Sequence, residues 1–287
     1  MCVYGLIQLT VACLYLFVAS LTDIKTREVP DYLNFSLIGV GFGLAALFSI
    51  FSWSLIPFVY SLMGFGLFFG IACLLFYSGQ WGGGDAKLLM GLGALFGLPI
   101  SSNVFNLWVS DVPFLFLFLF FSLVAGGLYG MGWLVYQLVV RRKKLFPLIR
   151  KKLDSYKKFR IVLYGILLLF LVLFFYVSNF ASKLAFVLLA FLVLILFYLP
   201  TVVRVVEEEC MVKETSVGKL VEGDWIAKNV VVKGKNICSS KDLGISLAQI
   251  KQLKKLKVKN VLVKEGLPFV PPMFVGFLIA VVVQVMF

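Results

Sequence analysis

Apolar residues fill most of the chain in long runs, and short polar segments separate these runs. Eight runs reach or approach the 17 to 25 residues that a helix needs to cross a bilayer. They cover residues 3–22, 33–52, 56–77, 86–100, 113–140, 161–177, 184–200 and 269–287. The fourth run is short and begins beside Lys87. This pattern predicts an α-helical integral membrane bundle with about eight transmembrane helices.

Residues 201–268 break the pattern, because charged and polar residues are spread through them. Residues 225–232 and 258–263 are rich in β-branched side chains and predict strands. Between them, the sequence SLAQIKQLKKL predicts a helix that Ser246 caps. Leu247, Ile250 and Leu253 should share one face of this helix. We therefore expect a small cytosolic α+β domain, inserted before the last helix.

The alternation divides the chain into four predicted segments. Residues 1–140 form a membrane core, and residues 141–200 combine a basic loop with a transmembrane hairpin. Residues 201–268 are the α+β domain, and residues 269–287 are a C-terminal transmembrane helix. The first apolar run lacks a basic n-region and a small-residue cleavage site, so we expect it to be retained.

Positive charge predicts how the chain lies in the membrane. The net charge is +13, and every Lys and Arg except Lys183 falls in or beside four polar segments. These segments are 23–32, 78–85, 141–160 and 201–268. Cations concentrate on the cytosolic side, so the N-terminus is predicted outside. The basic run 141–160 is expected to touch anionic lipid head groups rather than nucleic acid.

The amino-acid composition excludes several kinds of catalytic site. The chain has no histidine, so a Ser/His/Asp triad, a Cys/His dyad and an HExxH zinc site are closed to it. Its five cysteines form no CxxC pair and predict neither a zinc site nor a disulfide framework. No metal or cofactor is expected, and the oligomeric state stays open.

Two aspartates remain as the strongest chemical signal. Asp23 follows the first apolar run, and Asp85 follows the third. The second and third runs form a hairpin, so the topology permits the two carboxyls to meet. Two close carboxyls share one proton and can act as acid and base on a water molecule, in roles the sequence does not assign. Gly82, Gly83 and Gly84 are expected to allow a positive φ and a close approach to bound peptide.

Each of three cations near the aspartates has two possible roles. Lys87 either lowers the pKa of a neighbouring carboxyl or reaches the interface by snorkelling, and we favour snorkelling. Lys25 and Arg27 either meet an acidic substrate segment or only satisfy the orientation rule.

The stretches DIKTREVPDYLN (23–34) and GGGDAKLLMGLGALFG (82–97) resemble the two active-site motifs of the GxGD aspartyl peptidases. These membrane enzymes process type IV prepilins and archaeal preflagellins. The resemblance covers residues 1–140. Residues 220–232 and 264–280 resemble, less specifically, an extension of archaeal members.

The resemblance implies that Asp23 and Asp85 are the catalytic pair on the cytosolic side, in a loop shaped by Gly82 and Gly84. It implies membrane-inserted pilin or archaellin precursors as substrates, cut between a short basic leader and an apolar helix. Bacterial members commonly carry a CxxC zinc loop and also methylate the new N-terminus. This chain lacks those cysteines.

Three other functions are weighed against this one. A transporter would use the aspartates as a proton or cation relay, but Asp23, Asp85 and Asp111 lie at edges or in loops rather than in span centres. A scaffold would recruit an assembly partner through residues 201–268. A presenilin-like protease would cut inside the bilayer, whereas the turn at 23–34 is too polar for that depth.

Overall fold

The computed structural model describes residues 3–98, 113–232, 234–240, 242 and 244–286. Its helices in chain order are α1 (Val3–Thr26), α2 (Asp31–Phe51), α3 (Ile56–Tyr77), α4 (Gly83–Phe96), α5 (Phe114–Val140), α6 (Arg142–Asp154), α7 (Lys157–Tyr176), α8 (Phe180–Cys210), α9 (Leu247–Lys255) and α10 (Val270–Met286). Its strands are β1 (Val212–Ser216), β2 (Trp225–Ile226), β3 (Val230–Val232), β4 (Lys235–Cys238) and β5 (Asn260–Lys264).

Six of the described helices are long and apolar enough to cross a membrane. They are α1, α2, α3, α5, α7 and α8. Helix α10 has 17 residues. Helix α4 has 14 residues and a length of about 21 Å, less than the roughly 30 Å of a hydrocarbon core. The described chain is thus a multi-pass membrane protein, and residues 99 and 100 of the fourth predicted run lie outside it.

Several helix ends differ from the sequence-based expectation. Helix α1 continues past residue 22 to Thr26, and α8 continues past residue 200 to Cys210. The basic run 141–160, expected as a loop, contains α6. An amphipathic pattern explains α6, because Leu145 and Ile149 recur four residues apart on its buried face.

By internal contacts the chain forms two units, Met1–Met131 with Thr215–Phe287, and Gly132–Glu214. The four predicted segments stay a prediction. In the second unit α7 and α6 both pack against α8. Lys144 and Lys152 of α6 form ion pairs with Glu209 and Glu208 of α8, at 2.6 and 2.8 Å.

Helix α4 is the most deeply buried element of the first unit, packed between α2 and α3. Glycines make this packing possible. A Cβ atom at Gly41 of α2 would lie 2.7 Å from the backbone nitrogen of Leu95, and one at Gly93 of α4 would lie 2.5 Å from the carbonyl oxygen of Gly64 of α3. The three backbones therefore touch directly, as small residues allow in membrane bundles.

The polar part of the first unit mixes strands with one helix, as predicted. Strands β2 and β5 pair antiparallel with Ile226 opposite Val263, and β3 pairs antiparallel with β4. Helix α9 begins with the predicted Ser246 cap, which forms a capping box with Gln249. Ile250 and Leu253 face its core, but Leu247 is 53% exposed.

Candidate functional site

Asp23 lies in the last turn of α1 rather than in a solvated turn, and only 4% of its surface is exposed. Its Oδ2 accepts a hydrogen bond of 2.9 Å from the backbone N–H of Val270, the first residue of α10. The backbone of Phe269 provides a second hydrogen bond. A carboxylate next to an apolar span needs such partners, and here the start of α10 supplies them.

Asp85 is the third residue of α4, whose N-cap is Gly82. Its carboxyl accepts a hydrogen bond from the backbone of Gly82, as an acidic residue at this helix position often does. The residue keeps some surface exposure, although protein atoms surround the carboxyl closely. Asp85 was predicted in a polar turn, and the structure instead places it at the start of a helix.

The structure brings the two aspartates within electrostatic reach, because α1 and α4 contact each other. Burial raises the pKa of Asp85 to about 7, and the charge of Asp23 adds to this rise. The hydrogen bond from Gly82 opposes it. Asp85 therefore stays protonated to a higher pH than an ordinary aspartate, which suits the acid of a carboxyl pair.

Of the three glycines before Asp85, Gly84 packs closely against a neighbour, and none of the three has an unusual backbone angle. Gly82 has a φ of −70°, Gly83 and Gly84 are helical, and none of them is among the positive-φ residues. The expectation of a positive φ is wrong because the segment starts a helix. A Cβ atom at Gly84 would lie 3.1 Å from the backbone nitrogen of Val29. Gly84 thus lets the turn after α1 lie against α4.

Asn34 is a site residue that sequence reasoning missed. It is completely buried. Its Nδ2 donates to the carbonyl oxygens of Gly84 at 3.2 Å and Val29 at 3.5 Å, so one side chain joins both motifs. Its position on the buried face of α2, three residues before Leu37, was a usable signal, because a buried amide needs partners.

The three candidate supporting cations lie apart from the carboxyl pair to different degrees. Lys87 forms an ion pair with Asp31 at the start of α2 and lies 5.4 Å from the ring of Phe35. Lys25 and Arg27 are both exposed. Arg27 directly follows α1 with a φ of 61°, and its charge acts on Asp23. Of these three cations, Arg27 is therefore the one whose charge acts on Asp23.

Acidic residues border the same region. Burial raises the pKa of Glu28, and the charges of Asp224 and Asp31 raise it further. Burial also raises the pKa of Asp224, with a smaller rise from Glu265. The turn after α1 and the segment before β2 thus present negative charge together. Within the described ranges, no group of three or more metal-ligating side chains comes together.

Comparison with known proteins covers the part of the chain that holds both aspartates. Residues 10–131 match the sequence model of the Type IV leader peptidase family. The preflagellin peptidase of Methanococcus voltae is 33% identical over 121 residues, which are 41% of this chain and 52% of the relative. That of Methanocaldococcus jannaschii is 36% identical over 98 residues, or 33% of this chain and 42% of the relative.

The preflagellin peptidase of Methanococcus maripaludis is 34% identical over 104 residues, which are 34% of this chain and 44% of the relative. The chain thus spans about half the length of the curated relatives it matches. No solved structure matches it. Asp23, Asn34 and Asp85 all fall inside the matched segment. The segment that matches the type IV leader peptidase family, residues 10–131, thus contains both aspartates.

Proposed function

We propose that the chain is a membrane aspartyl endopeptidase. It removes the short basic leader from preflagellin or type IV prepilin-like precursors, with Asp23 and Asp85 as the catalytic pair. The observation that supports the proposal is that α1 and α4 are in contact and that the charge of Asp23 acts on Asp85. The pair lies inside the segment that matches a leader peptidase family.

The chemistry uses the pair and one water molecule. The ionised carboxyl takes a proton from water, the water oxygen attacks the peptide carbonyl carbon, and the protonated carboxyl donates to the carbonyl oxygen. Collapse of the intermediate breaks the C–N bond, and the amine leaves with a proton from the pair. The sum is hydrolysis, with both carboxyls restored and no metal required.

The proposed substrate follows from the matched relatives and from local charge. The three relatives are preflagellin peptidases. Glu28 and Asp224 act on each other at the edge of the site, and their negative charge favours a basic leader over an acidic one.

Sidedness and lipid contacts belong to the same proposal. The N-terminus lies outside, and the aspartates and the α+β segment lie on the cytosolic side. The exposed cations of α6 contact anionic lipid head groups. A single cysteine at position 26 in a cysteine-free background should react only with reagent on the cytosolic side. Reaction only from outside would contradict this orientation.

The decisive experiment incubates membranes containing the chain with a leader-bearing precursor. Asp23→Asn and Asp85→Asn should each abolish cleavage, because each removes an ionisable group of nearly unchanged size. Asp154→Asn is the matched control, since Asp154 pairs with Arg160 of the second unit and has no part in the proposed chemistry. Normal cleavage by either dyad variant would refute the aspartyl mechanism. Cleavage at mid-helix would point to a presenilin-like protease, and the comparisons give no support to a transporter.

A further inference from the structure

The start of α10 is built to hold one carboxylate. The first backbone N–H groups of a helix have no acceptor within the helix. They point outward from its N-terminus, which is the positive end of the helix dipole. Here Pro271 and Pro272 follow Val270 and lack an N–H group. The N–H of Met273 already bonds the carbonyl oxygen of Phe269. The unpaired donors at this helix end are therefore those of Phe269 and Val270, and both go to Asp23.

Packing fixes these two donors in place. Val270 and Met273 are completely buried, and α10 packs along α1. The ring of Phe269 lies 4.7 Å from the ring of Trp81, and it also fills the space that a side chain at Gly126 would need. The contact with Asp23 is therefore a fixed part of the first unit and not a chance surface approach.

We propose that the backbone donors of Phe269 and Val270 favour the ionised form of Asp23 over that of Asp85, so that Asp23 is the general base and Asp85 the general acid. This assignment rests on the proposed function and deepens it. Hydrogen bonds to the charged form of a carboxyl favour that form. Asp85 receives one backbone hydrogen bond, from Gly82, and is the carboxyl whose pKa is raised to about 7.

Among the described residues, few other charged groups influence which of the two aspartates is ionised. The charged groups that face Asp23 are Asp85 from α4 and Arg27 at the end of α1. Helix α10 contributes backbone donors, and the part of α10 that the structure describes carries no charged side chain. Lys87 is engaged by Asp31. The residues at 269 and 270 lie beyond the matched family segment, so the C-terminal helix acts on the site as a positioning element.

In the assigned roles, Asp23 takes the proton of the attacking water and Asp85 gives its proton to the carbonyl oxygen. When the C–N bond breaks, Asp23 returns its proton to the leaving amine and Asp85 recovers one from the hydroxyl of the intermediate. Each carboxyl ends the cycle as it began. Cleavage should then rise with pH as Asp23 ionises and fall as Asp85 loses its proton.

The first test replaces Val270 by proline, which removes the N–H but suits the first position of a helix. Val270→Ala is the matched variant, because it truncates the side chain and keeps the N–H. With Val270→Pro, the rising limb of the pH profile for precursor cleavage should move upward by about one pH unit. The falling limb should stay, and Val270→Ala should leave both limbs in place. Unmoved limbs in Val270→Pro, or movement of the falling limb alone, would overturn the proposal.

A second test needs no cleavage and remains valid if Val270→Pro does not fold. Infrared spectra at pH 5.5 compare the full-length protein with Asp23→Asn and Asp85→Asn. Loss of a carboxylate band in Asp23→Asn and of a protonated carboxyl band in Asp85→Asn would support the assignment. The opposite pattern would overturn it. Absence of cleavage by the unmodified protein would instead refute the proposed function and leave the infrared result standing.

Discussion

The side-chain amide of Asn34 donates a hydrogen bond of 3.2 Å to the carbonyl oxygen of Gly84, across 50 residues of sequence. A second bond, to the carbonyl oxygen of Val29, comes from the same nitrogen. One buried side chain thus links the turn after α1 with the start of α4. The two sequence motifs depend on this link for their relative position.

Replacing Asn34 with leucine should weaken both the fold and cleavage. The change leaves buried carbonyl oxygens without their donor, at a cost of about 1–3 kcal/mol. Thermal unfolding in detergent should show a lower midpoint, and cleavage of a leader-bearing precursor should fall. Ser36→Ala, on the exposed side of the same helix, serves as the control. Equal behaviour of the two variants would contradict the role of Asn34.

Adjacent glycines before Asp85 should respond differently to alanine. At Gly84 the added Cβ would lie 3.1 Å from Val29, so the turn or α4 must shift. At Gly83 the nearest atom, on the ring of Phe76, would be 3.7 Å away, an ordinary contact. Gly84→Ala should therefore reduce cleavage strongly, while Gly83→Ala stays folded and active. The ratio of initial cleavage rates for the two variants measures the effect.

Changing Gly276 should weaken the packing of α10 against α5. A Cβ atom there would lie 2.5 Å from the Cα of Ser122 in α5. Gly276→Ala should reduce the free energy of unfolding by about 1–3 kcal/mol through overpacking. Gly130→Ala on α5, where nothing lies within 4 Å of the new atom, should be neutral or slightly stabilising. Denaturant titration of both variants checks this, and equal midpoints would refute the close contact.

The pKa of Asp85 predicts a pH-dependent stability. Folding raises this pKa from 3.8 to about 7, so the folded protein binds more protons than the unfolded chain between these values. The free energy of unfolding should therefore fall as the pH rises from about 4 to about 7. Asp85→Asn should flatten the part of this slope that Asp85 causes. Parallel slopes for the two proteins in thermal scans would contradict the raised pKa.

Removing the charge of Lys87 should matter little. Its partner Asp31 is 63% exposed, and exposed ion pairs contribute about 0–1 kcal/mol. Lys87→Met keeps the apolar stem that lies near Phe35. Cleavage and the unfolding midpoint should stay close to those of the unmodified protein. A large loss of cleavage would contradict this prediction and indicate that Lys87 takes part in catalysis.

The sequence predicts the membrane helices well because apolar length is a direct physical requirement of the bilayer. It also places both aspartates near helix ends, and it identifies the Ser246 cap of α9. These features depend on local chemistry, which a single sequence displays. Of the eight predicted spans, six described helices are long and apolar enough to cross a membrane, whereas α4 has 14 residues and α10 has 17.

The missed features depend on distant parts of the chain meeting. The bond between Val270 and Asp23 spans 247 residues, and neither residue signals the other. The glycines before Asp85 suggest a flexible turn, but only the nearness of Val29 shows why Gly84 has no side chain. Leu247 follows the helical period and is still exposed.

The glycine contacts of α4 have a mechanical consequence. Where the backbones of α2, α3 and α4 touch without intervening side chains, there is no soft layer to absorb sliding or rotation. Asp85, at the start of α4, is therefore attached to a rigid frame of three backbones, and any substitution that separates these helices should displace its carboxyl.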